Sequence, residues 1–214
     1  MSLFTRKTET GLQGSLYDVG GQKTLLIVGL GNVGKEYTDT RHNVGFACID
    51  SFSASQNFPA WIEKKDLHCI FTKGSIGSTT VILIKPTTYM NESGRAVQAV
   101  QHFYKITNSQ MVVVHDELDI PFGQIRTRVG GSHAGNNGIK SMIQYCGEDF
   151  ARIRIGVKND LAEKMDGADF VLAKFVGSEK KLLPQLEREV SAILSEYTAT
   201  TTLPHDTRTI SNPN

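Results

Sequence analysis

Long hydrophobic runs are missing from this sequence: no stretch approaches the roughly 20 apolar residues that a membrane-crossing helix requires. Cysteine is scarce, with Cys48, Cys69 and Cys146 far apart and no C-x-x-C pair. That pattern argues against a disulfide framework or a cysteine zinc site, and predicts buried, reduced thiols. The histidines show neither H-x-x-x-H nor H-E-x-x-H spacing. A metal reading of His42, His115, Asp116 and His133 therefore lacks a ligand pattern, and neither metal nor cofactor is expected. The nucleophile elbow G-x-S-x-G is absent too, which disfavours a covalent serine mechanism. Charge imbalance is also lacking: 23 basic against 22 acidic residues leave +1, which selects no partner. The opening "MSLFTRKTETGLQG" has no apolar core like that of a secretory signal, so a cytoplasmic protein is expected.

What is present is an alternation of strand and helix signals. "TLLIVGLG", "TTVILIKP" and "QMVVVHDEL" are short, continuously apolar runs that predict buried strands. "GQIRTRVG" and "ARIRIGVK" alternate like strands with one wet face. "HNVGFACIDSFSASQ", "NESGRAVQAVQHFYKI", "GNNGIKSMIQYCG" and "SEKKLLPQLEREVSAILSEY" predict helices. In the second, Ala96, Val97, Val100, Phe103 and Tyr104 form the apolar stripe. The sum is one α/β domain over 24–197, a twisted, mixed and mostly parallel sheet with helices on both faces. Residues 1–23 are expected to be a flexible extension. The tail 198–214 is polar and is expected to be disordered.

Residues 25–37, "LLIVGLGNVGKEY", carry Gly29, Gly31 and Gly34 in the G-x-G-x-x-G spacing of a dinucleotide fingerprint. The context fails, because "KEYTDTRHN" is polar and cannot form the crossover helix that fingerprint needs, and Asp50 lies in a helix. A strand-to-loop turn that presents Asn32 is the better reading; a nucleotide-dependent oxidoreductase is the reading it displaces.

Asparagine and histidine recur after the strands, at Asn32, "RHN" (41–43), "YMN" (89–91), "HDELD" (115–119) and "HAGNNG" (133–138). In an open α/β sheet such segments meet in one cleft at the carboxyl ends of the strands. One histidine with one carboxylate suffices for general-base chemistry, and carboxamides supply donors for a developing oxyanion. Each residue also has a plainer use: His115 as a packed histidine, Asn43 and Asn91 as helix caps, Met90 as wall packing. Between Phe122 and Lys158, six cations (Arg126, Arg128, Lys140, Arg152, Arg154, Lys158) face only Glu148 and Asp149. This suits either a polyanion footprint or a solvated strand face.

The segments "VGLGNVGKEYTDTRHNVGF", "KPTTYMNESGRAV", "VVVHDELDIPFGQIRTRVGGSHAGNNGIKS", "RIRIGV" and "FVLAKFVGSEKKLL" resemble the bacterial-type peptidyl-tRNA hydrolases, in that family's order and approximate spacing. The resemblance implies a monomeric α/β enzyme that hydrolyses the ester between peptide and tRNA. It makes His42 the general base, Asp116 its orienting carboxylate, and Asn32 and Asn91 the holders of peptide backbone and water. It gives Asn137 a substrate-binding role in which Asn136 shares, makes Met90 a channel wall, and places Tyr37 at an aromatic position of the first loop. It sets Arg128 and Arg154 on a tRNA phosphate, with Lys140 beside them in the basic stretch. Asn136 stands where the family usually has histidine, and Val33 where it usually has proline. A catalytically altered relative that only binds RNA is the alternative.

Overall fold

The computed structural model describes residues 23–210. The expected N-terminal extension, Lys23 apart, lies outside the described residues, as do 211–214. The chain runs β1 (Thr24–Gly29), α1 (Val44–Ser55), β2 (Ile62–Lys64), β3 (Cys69–Ile76), β4 (Thr79–Pro86), α2 (Ser93–Tyr104), β5 (Met111–Pro121), β6 (Gln124–Val129), α3 (Asn137–Cys146), β7 (Ala151–Lys158), α4 (Gly167–Leu172), α5 (Gly177–Thr200) and β8 (Asp206–Thr209).

The strands form one sheet in the order β2-β3-β4-β1-β5-β7-β6-β8. The three runs read as buried strands are β1, β4 and β5. They lie side by side in parallel, and β7 extends the parallel set. Their side chains are buried on both faces, which is why their sequences are continuously apolar rather than alternating. Leu25, Ile27, Val112 and Val114 point to the face covered by α1 and α5. Leu26, Val28, Met111 and Val113 point to the face covered by α2 and α3.

Two expectations need correction. Parallel pairing is confined to the centre, because β3 returns to β4 and β7 to β6 as antiparallel neighbours. The two-residue connection 77–78 between β3 and β4 permits a hairpin but no parallel crossover. The tail is not disordered through 210. Helix α5 runs to Thr200, Leu203 and Ile210 are buried, and β8 covers the open edge of β6. Arg208 of β8 reaches Glu189 and Glu196 of α5, two carboxylates that tie this polar segment to the helix, and Asp206 of its own strand. A third correction is local: Phe103 is exposed on α2, while Tyr104 stacks on Phe71 at 5.8 Å.

Candidate active site

Gly45, in the first turn of α1, lies so close to the sheet that a β-carbon would come within 2.4 Å of the Val114 carbonyl and 2.6 Å of that of Leu30. The close approach brings the preceding turn, Arg41–Asn43, against the carboxyl ends of β1 and β5. Asn43 does not use its side chain as a helix cap. Its Oδ1 accepts from the Asn32 backbone N–H at 2.8 Å and its Nδ2 donates to the Asn32 carbonyl at 2.9 Å. The turn after β1 is thereby clamped. Gly34 follows at φ 137° and leads into a 3-10 turn with no buried residue, not a crossover helix. The glycine spacing shapes a loop, as its polar context predicts.

Asn32 points its side chain across the cleft, where Oδ1 accepts from the Met90 backbone N–H at 3.2 Å. That bond leaves the Nδ2 donor for the cleft. Met90 is buried beneath α3, where Gly138 makes room: a β-carbon there would lie 2.5 Å from the Met90 Sδ. Asn91 and Asn137 are exposed and line the cleft, their side chains without a partner among the described residues.

His42 Nδ1 and Asp116 Oδ1 are 2.9 Å apart, both side chains nearly buried. Burial by itself lowers the pKa of His42, but the charge of Asp116 and the hydrogen bond outweigh it and hold the imidazole above its ordinary value. Burial likewise opposes ionisation of Asp116. The charge and hydrogen bond of His42, with the charge of His115 behind them, keep its carboxyl below the ordinary value. With Nδ1–H donated to the carboxylate, Nε2 carries the free lone pair.

The cleft has a volume of about 740 Å³ and gathers Asn32, Tyr37, His42, Met90, Asn91, Asp116, Asn136 and Asn137, all the pocket residues expected from sequence. Its far wall is Asp166, Gly167, Ala168, Val171 and Leu172, at and in α4. Arg128, Arg154 and Lys140 lie outside it. The register pairs Arg126 with Arg154 and Arg128 with Arg152 across β6 and β7, so the four arginines share one sheet face. Burial and the neighbouring Arg128 charge lower the pKa of Arg154, so the two guanidinium groups are close enough to repel. Lys140 is exposed on α3. Arg152 turns inward, donates to the carbonyls of Gly131 and Ser132 at 2.6 and 2.8 Å, and so fixes the loop that leads to Asn136.

Residues 26–212 match the family model described as peptidyl-tRNA hydrolase. The chain belongs to the peptidyl-tRNA hydrolase family. It is 44% identical over 173 residues to the peptidyl-tRNA hydrolase of Sorangium cellulosum, covering 79% of this chain and 77% of that one. It is 46% identical over 160 residues to that of Francisella tularensis subsp. novicida, covering 74% and 83%. The crystal structure of peptidyl-tRNA hydrolase from Acinetobacter baumannii superposes with a TM-score of 0.75 at 33% identity, over 84% of this chain and 91% of that one. The crystal structure of a peptidyl-tRNA hydrolase in complex with n-propanol gives 0.77 at 32%, over 84% and 92%. The family match runs past β8, so the tail belongs to the family domain.

Several site residues of this peptidyl-tRNA hydrolase family member are invisible to sequence reasoning. Arg41, read as part of a polar loop, is fully buried: it pairs with Glu179 at 2.7 Å, donates to the Lys174 carbonyl at 2.9 Å, and lies 4.4 Å from the Phe170 ring centroid. Glu179 also accepts from the Val176 backbone N–H at 2.7 Å, but Val176 has no side-chain acceptor to complete a capping box, so no sequence signal marks the acid. Glu117 lines the cleft with Oε1 unpartnered, and burial pushes its carboxyl up to about 7 despite the Arg154 charge. His115 is the packed histidine: it is buried, its Nδ1 lies 2.7 Å from the Asp116 carbonyl, and burial lowers its pKa to about 4. Among the described residues no group of three or more His, Cys, Asp and Glu side chains gathers as a metal site. No helix among them is long and apolar enough to cross a membrane.

Proposed function

We propose that this chain hydrolyses the ester joining a peptide to the 3′-terminal ribose of tRNA, using a water activated by His42. The observation that carries the mechanism is the His42–Asp116 pair at 2.9 Å beside a set of unpartnered carboxamides. Asp116 holds the proton on Nδ1 and stabilises the imidazolium that forms when Nε2 takes a proton from water. The Asn32 Nδ2, Asn91 and Asn137 supply donors to the peptide and to the developing oxyanion, where each well-placed donor contributes roughly 3 kcal/mol to the transition state. Tyr37 and Met90 line the channel for the peptide. Direct attack by water needs neither a covalent intermediate nor a metal if base, water and oxyanion donors are positioned together.

The tRNA lies along the arginine face. Arg128 and Arg154 take a backbone phosphate and Lys140 adds charge from α3, a contact that weakens with salt. This surface supports a substrate that presents peptide and nucleic acid together. We place the enzyme in the cytoplasm as a monomer.

The test is incubation with an N-blocked aminoacyl-tRNA, following release of free tRNA. The wild type is expected to release it, and His42→Ala to lose about 10²–10⁴-fold in rate. A folded but inert wild type that still binds tRNA would replace this reading with that of an RNA-binding relative.

A further inference from the structure

The cleft contains two adjacent asparagines with opposite surroundings. Asn137 is exposed, and its side chain has no partner among the described residues. Asn136 is buried, 9% exposed, and every polar atom of its carboxamide is turned inward. Its Oδ1 accepts from the Ile139 N–H at 3.0 Å, capping α3. Its Nδ2 donates to the Asp116 Oδ1 and to the Asp116 carbonyl, both at 3.1 Å.

We propose that Asn136 is a positioning residue for the His42–Asp116 pair and not a contact for the substrate. Asp116 Oδ1 receives two donors, His42 Nδ1 and Asn136 Nδ2. The second one fixes the carboxylate rotamer against α3, so that the imidazole is held in one orientation. A carboxamide suits the task because it donates at every pH and never competes for the proton being transferred. The cap ties the same side chain to the start of α3, so the helix that presents Asn137 and the carboxylate that orients His42 move as one unit.

The charged and titratable groups around the pair are Asp116, His115 and Glu117 from β5, Tyr37 from the loop after β1, Asp166 ahead of α4, and Arg41 beside His42. Arg41 turns its guanidinium to Glu179, and of the rest Asp116 alone touches the imidazole. A change in the titration of His42 on altering Asn136 therefore reports on Asp116.

The kinetic arm of the test rests on the peptidyl-tRNA reading above; the titration arm does not. Asn136→Ser keeps a capping oxygen but is too short to reach Asp116, while Asn136→Asp keeps cap and shape and replaces the donor with a carboxylate. The thermal melt of Asn136→Ser is expected to stay near that of the wild type, and that of Asn136→Asp to fall, because it sets a second buried carboxylate beside Asp116. On N-blocked aminoacyl-tRNA, kcat is expected to fall about ten- to hundredfold with KM within twofold, the range for losing a hydrogen bond to a charged group. The His42 imidazole, followed by NMR in the free protein, is expected to titrate at higher pH in both variants. The shift is larger for Asn136→Asp, because a less satisfied or doubled negative charge favours the imidazolium. The acidic limb of kcat/KM moves the same way. Unchanged kcat and unchanged His42 titration in Asn136→Ser, with an intact melt, would overturn the proposal, and a loss confined to KM would make Asn136 a substrate contact. If the wild type is inert while the variants still shift His42, the hydrolase reading fails and the positioning role stands. If Asn136→Asp does not fold, Asn136→Ser decides alone.

Discussion

Arg41 and Glu179 are 138 positions apart in the chain and meet at 2.7 Å in the interior, linking the turn that carries His42 to the start of α5. Arg41 also donates to the carbonyls of Ala173 and Lys174, so one guanidinium holds both the His42 turn and the end of the α4 wall. Removing either partner strands a buried charge, which typically costs 3–5 kcal/mol. Glu179→Gln is expected to lose about that much in denaturant unfolding. Hydrogen exchange in 166–176 should accelerate before the global transition. A loss below about 1 kcal/mol would mean that the pair is peripheral.

The His42–Asp116 pair sets a pH dependence with a definite sign. In the proposed mechanism His42 must be neutral to act, and its pKa is raised above the ordinary 6.5, so kcat/KM should rise with pH through a limb above pH 6.5. Asp116→Asn removes both raising influences and leaves burial to dominate. The limb should move to lower pH while kcat falls by about 10²–10⁴-fold. A limb that stays in place in Asp116→Asn would assign it to another group.

Glu117 carries the opposite lesson, a buried acid with Oε1 left without a hydrogen bond. Its folded pKa of about 7 lies above the ordinary 4.5. The native state therefore holds the proton more tightly than the unfolded chain, and stability present below pH 4.5 is lost as pH rises through 7. Glu117→Gln removes that titration. Its melting temperature at pH 8 should exceed that of the wild type by a few degrees, at about 2–4 °C per kcal/mol, and the two should converge near pH 4. A variant that is less stable at pH 8 would show that the carboxylate has a partner in solution.

Arg128 and Arg154 share a sheet face outside the cleft, so binding and chemistry should separate. Arg128→Ala is expected to weaken tRNA-dependent turnover and reduce the slope of log affinity against log salt by about one. Hydrolysis of a short ester lacking tRNA should be untouched. Equal losses on both substrates would remove Arg128 from the phosphate contact.

Strand β8 supplies the last test. Ending the chain after Leu203 deletes the partner of β6 and exposes a row of edge donors and acceptors. The truncated protein should unfold at lower denaturant and associate at concentrations where the full chain does not. Identical unfolding and solubility would make β8 dispensable.

Much of this was legible in the residues. Continuous apolar runs identified β1, β4 and β5 as doubly covered strands, because only burial on both faces removes the need for alternation. The polar segment after Gly34 excluded a dinucleotide fold, and the clustering of asparagine, histidine and aspartate after strand ends placed the cleft. Phe103 was misread because a helical stripe gives an angle around the axis, not the edge at which the covering layer stops. The tail was misread because its polar residues are satisfied by α5 and β6, which lie far away in sequence.

By itself the sequence determined which strands are central, that the glycine motif ends in a loop, and which side chains line the cleft. Those features depend on local composition and periodicity, which a linear reading contains. The tertiary structure alone decided that Arg41 is a buried anchor, that Glu117 is buried with one oxygen unsatisfied, and that Asn136 faces Asp116 while Asn137 faces the cleft. Two neighbouring asparagines are chemically identical in a chain. Only the packing of α3 on β5 separates them, because burial and the position of one carboxylate turn the first inward and leave the second free.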